Sequence, residues 1–387
     1  MKIVIKKITF SELLAYLALV IFLLVSIFDT SFFARYIPPL VHKGLLALSA
    51  ILLLVREVFY SKYSLKNIIG FVLATILIFS AGFGSSFIST LTISIILIYC
   101  LRDFQLENLA KVTLVVTLIS FIIIIASSKL GIIQDYVEIS MFRIRHYLGF
   151  RYSLFPSTFY LNITALVYFL KQEKIKYWQL FLLVLGNFFV FQQTNSRLAF
   201  ISTSLLLFFN LLVKWKPNIF EKFRSFLYPF GFSYIIAGLM SIYAVRSYSN
   251  ASGFWKNVNI FLGNRLYLSV KSLDIYGIKL WGQRVTWVGN GLDINGYRSN
   301  LSYLFVDNMY LNVGQRFGLI AIIAFVILMT IVVFRTLRSQ KFVLATILIV
   351  IAFHAMIDNL MFELFYNFFW LAIGTELISK NKDQLVS

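Results

Sequence analysis

Long apolar runs alternate with short polar breaks from one end of the chain to the other. The runs approach the ~17–25 residues a helix needs to cross a hydrocarbon core of ~30 Å. Twelve of them predict helices at about 10–28, 38–55, 67–82, 86–101, 109–127, 154–170, 177–193, 197–213, 225–244, 317–334, 342–357 and 361–377. The pattern therefore predicts an all-α polytopic membrane protein with about twelve transmembrane helices. One long connection, 245–316, divides it into helices one to nine (1–244), the connection itself, and helices ten to twelve with a tail (317–387). No internal repeat or low-complexity segment stands out.

Composition agrees: 60% of the 387 residues are hydrophobic and only 13% charged, too little polar surface for a soluble domain. A net charge of +19 points to nucleic acid only if the cations form one surface. Here they fall into short clusters between apolar runs, which is the footprint of membrane orientation, and no nucleic-acid partner is expected. Cys100 is the single cysteine and lies inside an apolar run, so neither a disulfide framework nor a cysteine metal site forms within the chain. His42, His146 and His354 lack metal-ligand spacing, and neither metal nor cofactor is expected. No small-residue cleavage site follows MKIVIKKITF, so this segment reads as an uncleaved anchor.

With the N-terminus inside, every short inner segment is positive: Lys2, Lys6 and Lys7; Arg56, Lys62 and Lys66; Arg102 and Lys111; Lys171, Lys174 and Lys176; Lys214, Lys216, Lys222 and Arg224; Arg335, Arg338 and Lys341; Lys380 and Lys382. These are most of the 35 Lys and Arg, as the positive-inside rule requires, and they place both termini in the cytoplasm of a plasma-membrane protein. Apart from the isolated Arg35 and Lys43, the other cations gather in three outward places. Lys129, Arg143, Arg145 and Arg151 lie in 128–153, and Arg197 begins the eighth run. Arg246, Lys256, Arg265, Lys271, Lys279, Arg284, Arg298 and Arg316 lie in 245–316, against Asp274, Asp293 and Asp307. A basic outward connection suits an anionic ligand, although long loops also escape the charge rule.

Within that connection, Leu266, Val270 and Leu273 repeat at helical spacing, and Arg265, Ser269 and Ser272 repeat on another face. The spacing predicts an amphipathic helix over 263–277, lying apolar side down on the membrane surface and raising Arg265 toward a ligand. Trp281, Trp287 and Tyr297 follow in a turn-rich stretch; such rings suit sugars, and equally an interfacial aromatic belt. Asp307 opens a helical turn carrying Tyr310, Leu311 and Gly314, where an acid serves either as an N-cap or as a chemical group.

Three stretches resemble the bacterial polysaccharide polymerases of the Wzy type, which share a core with the O-antigen ligases: TNSRLAFIS (194–202), NRLYLSVKSLDIYGIKLWGQ (264–283) and DNMYLNVGQRFGLIAI (307–322). MFRIRHYLGF (141–150) is similar to an arginine-rich outer segment of capsule polymerases. The ligases usually carry histidine where this chain has Asp307, so the resemblance favours polymerase over ligase. It implies a GT-C-like membrane glycosyltransferase whose donor and acceptor are undecaprenyl-pyrophosphate-linked oligosaccharides in the lipid bilayer. It leaves room for a chain-length regulator as a further partner.

The chemistry so implied needs no metal. Pyrophosphate is a good leaving group, and fixed guanidinium groups pair bidentately with its oxygens as charge develops. On this resemblance Arg197 and Arg265 clamp the donor diphosphate and Asp307 is the base or acceptor-orienting group. Arg143, Arg145, Arg284 and Tyr310 are candidate substrate-binding residues. His146, beside two arginines that would hold it neutral, is another and an alternative base. The plainer account of Arg197 is an end-of-helix cation reaching lipid phosphates. Asp358 and Glu363 bracket the last outer turn and read as turn-forming caps rather than a glycosidase pair. The Asn250 and Asn300 tripeptides match a glycosylation pattern that matters only in a eukaryotic secretory membrane. The rival from another class is a lipid-oligosaccharide flippase, against which stand dissimilar halves and few ionisable residues inside the runs.

Overall fold

The computed structural model describes residues 9–85, 88–140, 143–249 and 253–378. Lys2, Lys6, Lys7, Lys380, Lys382 and Asn250 lie outside the described residues. The chain is mostly helical. Its elements are α1 (Phe10–Asp29), α2 (Pro39–Tyr60), α3 (Leu65–Gly84), α4 (Thr90–Cys100), α5 (Leu106–Lys129), strands β1 (Val137–Ser140) and β2 (Arg143–His146), α6 (Phe155–Lys171), α7 (Tyr177–Thr194) and α8 (Arg197–Trp215). Short turns α9 (Ile219–Lys222) and α10 (Arg224–Leu227) lead to α11 (Ser233–Ser249), α12 (Gly253–Phe261), α13 (Arg265–Tyr276), α14 (Met309–Arg338), α15 (Phe342–His354) and the one-turn α16 (Leu371–Ile373).

Seven helices among the described residues are long and apolar enough to cross a membrane: Phe10–Asp29, Pro39–Tyr60, Leu65–Gly84, Leu106–Lys129, Arg197–Trp215, Arg224–Tyr248 and Met309–Arg338. They make the chain a polytopic membrane protein. The other apolar runs differ for local reasons. α6 buries Ser157, Thr158, Asn162 and Thr164 among its apolar residues, and α4 and α15 are short. The last run is no continuous helix: 3₁₀ turns at Asn359–Phe362 and Phe368–Trp370 precede α16 and a π turn at Gly374–Ile378. Aromatic packing fixes this broken segment, with Trp370 stacked on Phe325 at 4.1 Å between centroids and at 4.8 Å from Phe362.

α14 is broken at Gly318, whose φ of +90° no other residue adopts without strain. The backbone groups freed there are taken up by the irregular segment 279–283. Gln283 N–H donates to Arg316 C=O at 2.9 Å, and Leu319 N–H donates to Lys279 C=O at 2.9 Å. A β-carbon at Gly318 would lie 2.5 Å from the Trp281 carbonyl carbon, so glycine also permits the close approach.

Between α2 and the α4–α5 link, Arg102 is fully buried and grips Glu57 with both terminal nitrogens, at 3.1 and 2.6 Å. Arg56 adds a third bond to Glu57 at 3.3 Å and donates to the Cys100 carbonyl at 2.7 Å. Two cations counted toward membrane orientation are therefore spent inside the protein. Removing one partner strands the others in low dielectric, so Glu57→Ala will cost about 3–5 kcal/mol of stability. Thermal unfolding of the detergent-purified protein checks this; an unchanged midpoint would contradict it.

Candidate functional site

The connections at one end of the bundle form a continuous layer. Ser31 bridges Phe150, Arg151 N–H donates to Thr30 C=O, and Leu292 N–H donates to Arg151 C=O. In this layer a cavity of about 450 Å³ is walled by Tyr152 and Phe155 before and in α6, by Trp287, Asn290 and Tyr303 between α13 and α14, and by Asp307 and Asp358.

The stretch DNMYLN explains how Asp307 arrives there. Asn308, not Asp307, caps α14, accepting from Leu311 N–H at 3.2 Å. Asn312 closes the turn by donating to Val306 C=O at 2.8 Å. Met309 N–H donates to Ala355 C=O at 2.9 Å and the Tyr310 hydroxyl to Ala352 C=O at 2.8 Å, which seats the start of α14 against the end of α15. Tyr310 is buried in that contact and does not line the cavity. The cap is supplied, so Asp307 is free to accept from Arg265 Nε at 2.7 Å.

Arg265 stands on the first turn of α13. Asn259 of α12 fixes that turn, its Oδ1 accepting from Tyr267 N–H at 3.1 Å. The helix is where its spacing puts it, and its apolar face packs on protein: Leu266 is buried with Val245 of α11 and Leu311 of α14, and Val270 and Leu273 pack against them. Ser269 and Ser272 are buried as well, against α11 and α14. Ser272 Oγ donates to Gln315 of α14 at 3.2 Å.

Strand β2 reads Arg143, Ile144, Arg145, His146, and period-2 alternation sends the two arginines to one face and His146 to the other. His146 Nδ1 meets Asp135 Oδ2 at 3.3 Å, on a carboxylate that also accepts from Lys129 at 2.9 Å. Arg143 has its pKa lowered, first by partial burial and then by the nearby charges of Arg145, Arg197 and Arg265. The four arginines thus share one neighbourhood. Arg284 is exposed and does not line the cavity.

The sorting of charge is informative. At this end Lys129 pairs with Asp135, Arg151 with Asp29 and Arg298 with Glu138. Arg143, Arg145 and Arg197 have no carboxylate partner among the described residues, and Arg145 Nε is shielded from solvent without a hydrogen-bond acceptor. Guanidiniums without a carboxylate have the chemistry to attract an anion; none of the three lines the cavity, and Arg265 meets its wall through Asp307.

A second carboxylate escaped sequence reasoning. Asp358 does cap its turn, Oδ1 accepting from Leu360 N–H at 2.9 Å, yet it also lines the cavity. Its Oδ2 lies 3.2 Å from His354 Nε2, and His354 Nδ1 lies 2.8 Å from Ser202 Oγ in α8. Nε2–H donating to the carboxylate leaves Nδ1 to accept the serine hydroxyl. Burial raises the pKa of Asp358, but His354, the backbone N–H and Arg265 outweigh it and hold the carboxyl below its ordinary value. Burial pushes Asp307 the other way, above the ordinary carboxylate range; Arg265 opposes this and the charge of Asp358 adds to it. The surroundings thus push the two carboxylates of the cavity wall in opposite directions.

Neither a family model nor a curated protein nor a solved structure matches this chain.

Proposed function

We propose that this protein is a polysaccharide polymerase that joins undecaprenyl-pyrophosphate-linked repeat units at the outer face of the plasma membrane. The observation that carries the reading is the group of unpaired arginines, Arg143, Arg145 and Arg197, around the Arg265–Asp307 pair beside a cavity with two carboxylates. The likeness of the three quoted motifs to Wzy-type polymerases supports it. On this reading the layer of connections faces outward, both termini are cytoplasmic, and the remaining apolar segments complete about twelve crossings.

The acceptor hydroxyl attacks the anomeric carbon of the donor. The carbon–oxygen bond to the diphosphate breaks, and lipid pyrophosphate departs with the electron pair. Arg265 is held at Nε by Asp307, which leaves its two terminal nitrogens for phosphate oxygens, and Arg197 supplies the second cation. Asp307, with its raised pKa and one oxygen not engaged by Arg265, takes the acceptor proton. Asp358 stays ionised and sustains that basicity.

Deletion in the producing cell tests the assignment. The expected result is loss of surface polymer with single repeat units left on lipid at the outer leaflet, read by analysis of lipid-linked intermediates. Units trapped inside would indicate a flippase, and long polymer left on the lipid carrier a ligase.

A further inference from the structure

A second polar cavity, of about 360 Å³, opens in the same layer between the α1–α2 link and the α5–β1 link. Its wall includes Arg35, Tyr36, Ser128, Gln134 and Asp135. The Ser128 hydroxyl is buried and has no hydrogen-bond partner, a costly state that a ligand hydroxyl or water relieves. Gln134 offers an amide with both donor and acceptor, and Tyr36 an exposed ring. Arg35 reaches only the Asn295 carbonyl, at 3.5 Å. Asp135 is fixed in the wall by Lys129, His146 and Leu148 N–H, and its charge opposes a phosphate there. One cation beside one carboxylate, with hydroxyl, amide and aromatic groups, suits a neutral polyol ring rather than an anion.

One loop separates the two cavities. Leu292, Ser299 and Leu301 line the first, whereas Asn295 and Gly296 at the tip touch Arg35 and Gln134 of the second. Asp293 holds the tip rigid, its Oδ1 accepting from Asn295 N–H at 2.9 Å and Tyr297 N–H at 2.8 Å. A chain bound in the first cavity therefore has a polar landing place directly across this loop.

We propose that the second cavity is a saccharide subsite, holding a neutral sugar of the glycan while the reacting sugar occupies the first. It rests on the glycan-joining reading above and adds where the chain is gripped between successive additions. Weakening the grip releases chains early without blocking bond formation.

The test replaces the chromosomal gene with Ser128→Val, Gln134→Ala and Arg35→Ala alleles, and sizes the cell's surface polysaccharide at matched membrane protein levels. Gln134 and Arg35 are exposed, so their variants keep the test open if Ser128→Val lowers protein. The expected result is polymer still made, with mean chain length reduced about five-fold, the factor that losing one net hydrogen bond gives. Wild-type chain length in all three variants overturns the subsite and leaves the polymerase reading standing. A strain lacking the gene that still makes wild-type polymer overturns both.

Discussion

Arg265→Lys will reduce polymer synthesis by about 10²–10³-fold, the loss expected when a preorganised donor to a developing anion is removed. Lysine keeps the charge but not the fork: it can meet Asp307 or a phosphate oxygen, not both in fixed geometry. Arg265→Ala will be as damaging for a mixed reason, since it also leaves the buried Asp307 without its cation. The lysine variant therefore carries the argument, measured as turnover of lipid-linked units by purified protein in liposomes. Arg265→Lys combined with Asp307→Asn will lose less than the product of the single losses, because the two side chains act through one 2.7 Å contact. Full turnover by Arg265→Lys would remove the clamp.

Asp307→Asn will lower turnover by about 10²–10⁴-fold, the range for removal of a general base. The amide keeps the shape and still accepts from Arg265, so loss of protein is not the expected cause. The acid limb of the wild-type rate profile will report Asp307, whose pKa lies above the ordinary carboxylate value. The neighbouring Asp358 anion contributes to that rise, so Asp358→Asn will shift the acid limb to lower pH. A shift to higher pH, or none, would show that the two carboxylates do not divide the work as proposed.

Much of the scaffold was legible because hydropathy period and capping are local. α1, α5 and α8 lie within a few residues of their apolar runs, and α13 starts on Arg265. What escaped depends on neighbours. The run 361–377 has the composition of a helix, but Phe317, Phe325 and Phe362 fix it as a chain of short turns. In sequence Arg56 and Arg102 count as cytoplasmic-side orientation cations, because nothing local shows that Arg102 folds back onto Glu57 beside Arg56.

Likewise in the candidate site, strand alternation would have separated His146 from Arg143 and Arg145 had 137–146 been read as a hairpin. Tyr310 sits within its motif for a packing reason, the bond to Ala352. Ser202 and His354 hide in apolar runs 152 residues apart, and only packing of α8 beside α15 shows that they touch. Asp358 was read from its turn alone, and one of its oxygens does serve that turn. The other oxygen bonds His354, and the carboxylate's place in the cavity wall has no signature in sequence.

The direct measurement is a cryo-electron microscopy structure of the full chain bound to undecaprenyl pyrophosphate. The account predicts diphosphate density bridging Arg197 and the terminal nitrogens of Arg265, with Asp307 still on Nε. Diphosphate bound away from these side chains, or the arginines turned into surrounding lipid, would contradict it.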